Sequence, residues 1–510
     1  MFQNFERLLI WIVSIEHIHL VVYISFLIAI LVSERSPETI VAWIFTITVF
    51  PVLGFVLYLV FGINWRKNRI ESLQNRNRRS LFKGFPSLTE NFLKYDPAEI
   101  FHSHKVKPED LNILMSNAGI SQEESEIVKL LYTSEGTYLT HNSSYKMFYD
   151  GREAFDSIIQ DLESAKETIY MEYFIWRSDG LGEKVKDVLV KKAKEGVKIR
   201  LLFDGMGSFG TISEKYRKEL AKVGVEFKYF LDIKFALSKL NYRNHRKITI
   251  VDNRILHTGG MNLGEEYITG GKRFESWRDT NVRVQGELVL HYLAIFVTDW
   301  LNSGGKQDFK MDDIEEVIEE HKKIQKDSPY LMQVSSSGPD TIWTTLKYTY
   351  SKLIGSAKKE ILIQSPYFIP DTSLVSQLKI AALSGVKIKL MIAGVPDKKI
   401  PYWIAETYFA ELLLVGVEIY RYKSGFIHCK NIVIDGKMST MGTCNFDMRS
   451  FEINYEVNSI FYNEEISQSM REQFYKDLSF CEEIKEENLK KTVFWRKIRN
   501  SLFRVVSPIM

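Results

Sequence analysis

Two long apolar stretches open the chain, and beyond them short apolar runs alternate with amphipathic ones. The first stretch, Leu8 to Val32, is 25 residues long and is interrupted by Glu16, His17 and His19. The second, Ile40 to Ile63, runs for 24 residues without a charge. About 20 apolar residues in a helix suffice to cross hydrocarbon, and Pro51 and Gly54 are tolerable inside such a helix. The pattern therefore predicts a transmembrane helical hairpin over 8–32 and 40–63, within a segment 1–65. Seven basic residues follow, Arg66, Lys67, Arg69, Arg76, Arg78, Arg79 and Lys83. By the positive-inside rule they set this end in the cytoplasm, or they hold anionic headgroups. The expectation is a multi-pass membrane protein whose remaining domains lie in the cytoplasm.

Past a lead-in over 66–145, the pattern becomes that of an α/β protein, and it occurs twice. Ala165-Lys166 and Ile169 return as Ala357-Lys358 and Ile361, and Tyr173-Phe174-Ile175 returns as Tyr367-Phe368-Ile369. Gly196 and Ile199 match Gly385 and Ile388, and Gly224 and Glu226 match Gly416 and Glu418, at offsets of about 190 residues. In the first unit Thr168 to Ile175 reads as strand, Gly182 to Glu195 as helix and Val197 to Phe203 as strand. Each unit is expected to be an α/β sandwich with a mixed or parallel sheet. The boundaries read as 146–300 for the first domain, 301–334 for a polar linker, and 335–510 for the second domain with a C-terminal helix and tail.

The chemistry is duplicated too. His245, Lys247 and Asp252 precede Gly259-Gly260 and Asn262, and His428, Lys430 and Asp435 precede Gly442-Thr443 and Asn445. The internal spacing is identical in both copies. Residues i and i+2 of a strand share a face, so each His lies beside its Lys. Facing one another, the copies would offer two imidazoles, two ammonium groups and two amides, which is a trap for a phosphoryl group. One His can attack phosphorus while the other moves the proton of the leaving and incoming oxygens. The lysines supply the positive charge, so neither metal nor cofactor is called for. Asp252 and Asp435 complete the motifs and count with His245, Lys247, His428 and Lys430 as catalytic residues, in a structural or orienting role and not as metal ligands. Asp279, in Trp277-Arg278-Asp279, and Glu456, in Asn454-Tyr455-Glu456, are candidates for holding a His in one tautomer. Asn262 and Asn445 are supporting or substrate-binding candidates.

These motifs resemble the paired His-Lys-Asp motifs of the phospholipase D superfamily, and within it the bacterial cardiolipin synthases. The likeness extends to Gly425-Phe426-Ile427-His428, Asn445-Phe446-Asp447-Met448-Arg449-Ser450, Ser337-Gly338-Pro339-Asp340 and Val395-Pro396-Asp397-Lys398, and runs over nearly the whole chain. It implies duplicated phospholipase D-type domains related by a pseudo-two-fold. It also implies transfer of a phosphatidyl group from one phosphatidylglycerol to another through a phosphatidyl-histidine, with glycerol released. The first-half His usually attacks in that family, so the resemblance makes His245 the nucleophile and His428 the acid and base; the sequence symmetry leaves that order open. A phospholipase D that yields phosphatidic acid is the alternative. The family commonly has Gly-Ser after the motif, where this chain has Gly259-Gly260 and Gly442-Thr443.

Composition narrows the field. A net charge of +3 is too mild to argue for nucleic acid. Three cysteines form no disulfide framework. Cys429 alternates with His428 and Lys430 and should point away from them. The expected partners are phosphatidylglycerol and anionic membrane lipid, not nucleic acid, with a homo-oligomer left open. Asp204 to Ser208 reads as a rim loop, and His102 and His104 as a solvated pair. The acidic face of Glu315, Glu316, Glu319 and Glu320 belongs to the linker. Tyr402-Trp403 and Tyr408-Phe409 suit an acyl-chain groove, a face toward the membrane, or the core.

Overall fold

The computed structural model describes residues 15–33, 37–62, 119–231, 241–306, 308–309, 317, 330–490 and 494–509. The basic run over 66–83, His102 and His104, and the acidic linker face lie outside these residues. The chain divides into two compact units, Met1–Asn64 with Val493–Met510, and Trp65–Thr492.

The first unit corrects the expected transmembrane hairpin. Among the described residues no helix is long and apolar enough to cross a membrane. The first apolar stretch gives a helix Ile15–Leu31 of 17 residues, about 25 Å at 1.5 Å per residue, against about 30 Å of hydrocarbon. The second stretch is cut at Phe50 into helices Pro37–Val49 and Pro51–Leu57, followed by a π-turn Tyr58–Gly62. Pro51 lacks the N–H that would continue the preceding helix and sits at the start of the next one. The pieces fold on one another instead. Ile30, Trp43, Ile47 and Tyr58 form a small core, with the Trp43 and Tyr58 rings edge to face at 5.1 Å. The C-terminal helix Phe494–Val506 packs on Pro37–Val49, so the tail groups with this unit. The multi-pass localisation, and the cytoplasmic side inferred from it, fall with the hairpin.

The second unit is built on one 15-stranded sheet. From one edge the first half runs Glu226–Phe230, Lys198–Asp204, Thr168–Tyr173, Lys247–Val251, Ile255–Gly259, Asn281–Gly286 and Thr140–Phe148. The second half continues with Tyr330–Ser337, Glu456–Phe461, Met438–Gly442, Asn431–Ile434, Glu360–Gln364, Lys387–Ala393 and Glu418–Tyr422, and Cys481–Ile484 closes the edge. Each strand of the first half has its counterpart in reversed order in the second. The halves join where Thr140–Phe148 pairs antiparallel with Tyr330–Ser337, Thr140 opposite Met332. The expected pair of α/β units is therefore a single continuous ladder with a pseudo-two-fold at its centre.

Strand alternation separates the two faces of the sheet. Ile169, Met171, Tyr173, Ile199, Leu201 and Phe203 pack under the first-half helices Gly151–Ser164 and Gly180–Lys194. On the opposite face Tyr170, Leu202, Ile248 and Ile250 join a core with Val433, Met441, Val457 and Phe461 of the second half. That core includes Phe296 and Trp300 of helix Leu288–Asn302 and Phe474 of helix Glu464–Leu478. This shared core holds the two halves in register. Tyr408 and Phe409 are buried, so that aromatic pair is core.

Candidate active site

Each motif His enters the site at the end of a short pairing made with the other half. The amide of His245 donates to Tyr455 O at 2.9 Å, and the amide of His428 donates to Arg278 O at 2.7 Å. Strand Phe426–Ile427, just before His428, pairs in parallel with Trp277–Arg278, and Asn244 bridges Tyr455 in the same sense. Tyr455 and Arg278 are the residues before Glu456 and Asp279. The same small pairing therefore delivers a carboxylate to each imidazole. Glu456 Oε2 lies 2.9 Å from His245 Nδ1, and Asp279 Oδ2 lies 2.7 Å from His428 Nδ1. The pairing is crossed: the second half holds the first-half His, and the first half holds the second-half His. One chain thus completes the site.

The lysines lie with the histidines. Lys247 Nζ donates to His245 O at 2.5 Å, and Lys430 Nζ donates to His428 O. Both lysines are 1% exposed, against 9% for His245 and 8% for His428, so the histidines are the more accessible members of the cluster. Phe174 packs edge-on to His245 at 5.0 Å, and Tyr267, Trp277 and Phe426 surround His428 at 5.8–6.0 Å. Asp204 supports the rim by accepting from Met206 N, Gly207 N and Asn244 N.

Burial sets the charges of this cluster. It brings His245 down to about 4 against the pull of Glu456. Burial, with the Lys430 and Lys247 ammoniums, takes His428 well below the ordinary imidazole range. It lowers Lys247 to about 7 and depresses Lys430. The two carboxylates differ. Burial pushes Asp279 up to about 6 despite Lys430. At Glu456 burial also pushes upward, but His245 and Lys247 more than offset it and hold this carboxyl below its usual value.

The turn after each motif is fitted to its carboxylate. A Cβ on Gly260 would meet Asp279 Oδ1 at 2.1 Å, so the departure from Gly-Ser makes room for the short acid. Thr443 occupies the matching place beside the longer Glu456. Its hydroxyl accepts from Val457 N at 2.9 Å, and its carbonyl lies 3.1 Å from His245 Nδ1.

The motif aspartates are not brought to this cluster. Asp252 ends the strand that starts at Lys247 and accepts from the amides of Lys166, Glu167 and Thr168 at 2.8–2.9 Å. Asp435 does the same for Lys358, Lys359 and Glu360 at 2.7–2.8 Å. Both have positive φ, 51° and 54°, which Asp tolerates better than most residues. Asn262 is spent on Ile175 N and the Tyr267 hydroxyl, whereas Asn445 Oδ1 is buried with no protein partner.

Two buried ion pairs underpin the site. Arg246 pairs with Asp299, beside Glu172 and Asn244, and Arg278 pairs with Asp477 at 2.9 Å. Arg246 was legible only as the residue between His245 and Lys247, and Arg278 only as the neighbour of Asp279. Their helix partners are distant in sequence. The Cys429 thiol contacts Arg278 and Thr280 and is pushed up to about 12, mainly by burial.

The chain is similar to known proteins along most of its length. The family described as "Cardiolipin synthase, PLD-like domain" matches residues 158–300 and 350–478, together more than half of the chain. A second, "Phospholipase D-nuclease N-terminal", matches 21–62. A cardiolipin synthase of Clostridium perfringens (strain SM101 / Type A) is 36% identical over 481 residues, covering 94% of this chain and 96% of that one. The major cardiolipin synthase ClsA of Bacillus subtilis (strain 168) is 34% identical over 492 residues, covering 96% and 97%. The crystal structure of a phosphatidylserine synthase from Haemophilus influenzae superposes with a TM-score of 0.56 at 13% identity, covering 76% of this chain and all of that one, a likeness of fold alone. Duplicated sheet and paired His-Lys motifs define an enzyme of the phospholipase D superfamily. Within it, the chain belongs to the bacterial cardiolipin synthase family.

Proposed function

We propose that this chain joins two phosphatidylglycerol molecules into cardiolipin through a phosphatidyl group carried on His245. His245 Nε2 attacks the donor phosphorus. The bond from phosphorus to the headgroup glycerol oxygen breaks, His428 protonates that oxygen, and glycerol leaves. A headgroup hydroxyl of the second phosphatidylglycerol then passes its proton to His428 and attacks phosphorus. The P–N bond breaks, and both imidazoles return to their starting states. Lys247 and Lys430 neutralise the oxygens of the transferred group.

The observation that carries this reading is the crossed carboxylate pairing. The first-half attack follows the family resemblance, and the electrostatics favour the same order. An ionised Glu456 holds the proton of His245 on Nδ1 and leaves Nε2 free to attack. Asp279, raised to about 6, lets its pair with His428 retain a proton for the leaving oxygen.

The test is purified protein on phosphatidylglycerol vesicles, with and without chelator, read by mass spectrometry. Cardiolipin and glycerol are expected. Phosphatidic acid as the main lipid product would mean that water resolves the intermediate. Turnover undiminished in His245→Ala would end the reading.

A further inference from the structure

The proposed reaction needs one phosphoryl group at the histidines, but its product carries two phosphates. Lys247 and Lys430 serve the transferred one. The acceptor lipid brings a phosphodiester of its own, one glycerol away from the attacked phosphorus. It must lie on the His428 side, because the acceptor hydroxyl gives its proton there.

The loop Val395–Lys398 reaches that side. It follows strand Lys387–Ala393 and is clamped from the other half of the chain. Arg273 donates through Nη1 to Asp397 O at 2.8 Å and through Nη2 to Pro396 O at 2.5 Å. Within the second half, Tyr367 donates its hydroxyl to Asp397 Oδ2 at 2.6 Å, and the Lys398 amide donates to Oδ1 at 2.7 Å. A chain of rings ties the clamp to the catalytic imidazole. The Arg273 guanidinium lies 5.3 Å from the Phe274 ring, Phe274 is 5.6 Å from Trp277, and Trp277 is 5.8 Å from His428. The Lys398 side chain is exposed, with its ammonium 5.9 Å from the Tyr367 ring. Its charge reaches the buried imidazole, being among the causes that depress His428. The loop thus carries an exposed ammonium whose charge is felt at His428, with the Arg273 guanidinium pinning the loop from behind.

We propose that Lys398, backed by Arg273, forms the subsite for the acceptor's phosphodiester and so selects phosphatidylglycerol over uncharged alcohols and water. This rests on the reading of His428 as the group that serves the acceptor oxygen. A cation one glycerol from the reacting phosphorus holds an anionic acceptor by a charge-assisted contact and gives nothing to ethanol. Water gains nothing from it either.

The test sets the two kinds of acceptor against each other in one reaction. Full-length protein is incubated with phosphatidylglycerol vesicles and ethanol, and cardiolipin, phosphatidylethanol and phosphatidic acid are quantified together. In Lys398→Gln the ratio of cardiolipin to phosphatidylethanol should fall about 10-fold, the effect of roughly one lost charge-assisted hydrogen bond. Lys398→Arg should restore most of that ratio. Misfolding would lower both products together, so the ratio is read only while phosphatidylethanol is still formed at a wild-type rate, and an unchanged ratio in such a Lys398→Gln protein overturns the proposal. A wild-type chain that makes phosphatidylethanol but no cardiolipin overturns the parent reading as well.

Discussion

Glu456 of the second half lies 2.9 Å from Nδ1 of His245 in the first half, and Asp279 of the first half returns the arrangement to His428. Neither half therefore owns a complete acid–base pair. Each imidazole is oriented by a carboxylate that arrives only when the two halves dock. A cut or slip between the halves would remove both pairs at once.

Replacing Glu456 by Gln keeps the shape and removes the charge that holds the His245 proton on Nδ1. The activity should fall by about two orders of magnitude or more, the scale of a mis-set tautomer in other histidine sites. The loss should appear in kcat for cardiolipin formation, with the melting temperature nearly unchanged.

The two histidines should fail differently. His245→Ala should form no covalent phosphatidyl adduct. His428→Ala should form one on His245 slowly and release it more slowly still, because neither the leaving nor the incoming oxygen has its proton partner. Intact-protein mass spectrometry after a brief exposure to phosphatidylglycerol would separate them. An adduct on His428 would reverse the assigned order.

The free enzyme's pH profile should have two limbs. Lys247 is a cation below its value of about 7 and neutral above it. The kcat/KM for phosphatidylglycerol should therefore decline as pH rises through about 7, roughly tenfold per unit once Lys247 is neutral. His245 is a free base above about 4 and a cation below it, so kcat/KM should also decline below about pH 4. The Asp279–His428 pair also loses the proton it keeps for the leaving oxygen as pH rises through about 6, so the alkaline decline begins there, steepens past 7, and the plateau lies between about 4 and 6. A profile flat from pH 6 to 9 would contradict the buried-lysine account.

Asp252 should matter for stability and not for the pH profile. Asp252→Ala removes the acceptor of three amides and puts Ala at a φ of 51°. It should cost about 1–3 kcal/mol, read as a lower melting temperature. Asp252→Asn keeps an acceptor and tolerates that φ, so it should lose less. The surviving activity of either variant should titrate like wild type.

Arg246 offers a test of the buried ion pairs. Arg246→Met leaves Asp299 and Glu172 buried without their cation and should cost about 3–5 kcal/mol. Pairing it with Asp299→Leu should recover part of that loss. Thermal melts of the single and double variants would show it.

The repeat spacing marked the duplication and both His-Lys pairs, because covalent order alone places a Lys two residues from its His on an extended segment. The acids at 279 and 456 were also visible, but their assignment was not. A sequence cannot say that Asp279 serves the distant His428, a link made by the pairing of Trp277–Arg278 with Phe426–Ile427. The aspartates at 252 and 435 show the opposite case. They stand in the motif but face the far end of their strands, where they tie down the turn before the neighbouring strand. At the N-terminus hydropathy alone suggested a membrane span, and Pro51 with the packing of Trp43 on Tyr58 produced short helices folded on each other instead. Local spacing and apolar period belong to the sequence because they depend on neighbours along the chain. Which carboxylate meets which imidazole, and whether an apolar run stays in one helix, was decided by contacts that exist only once the chain has folded.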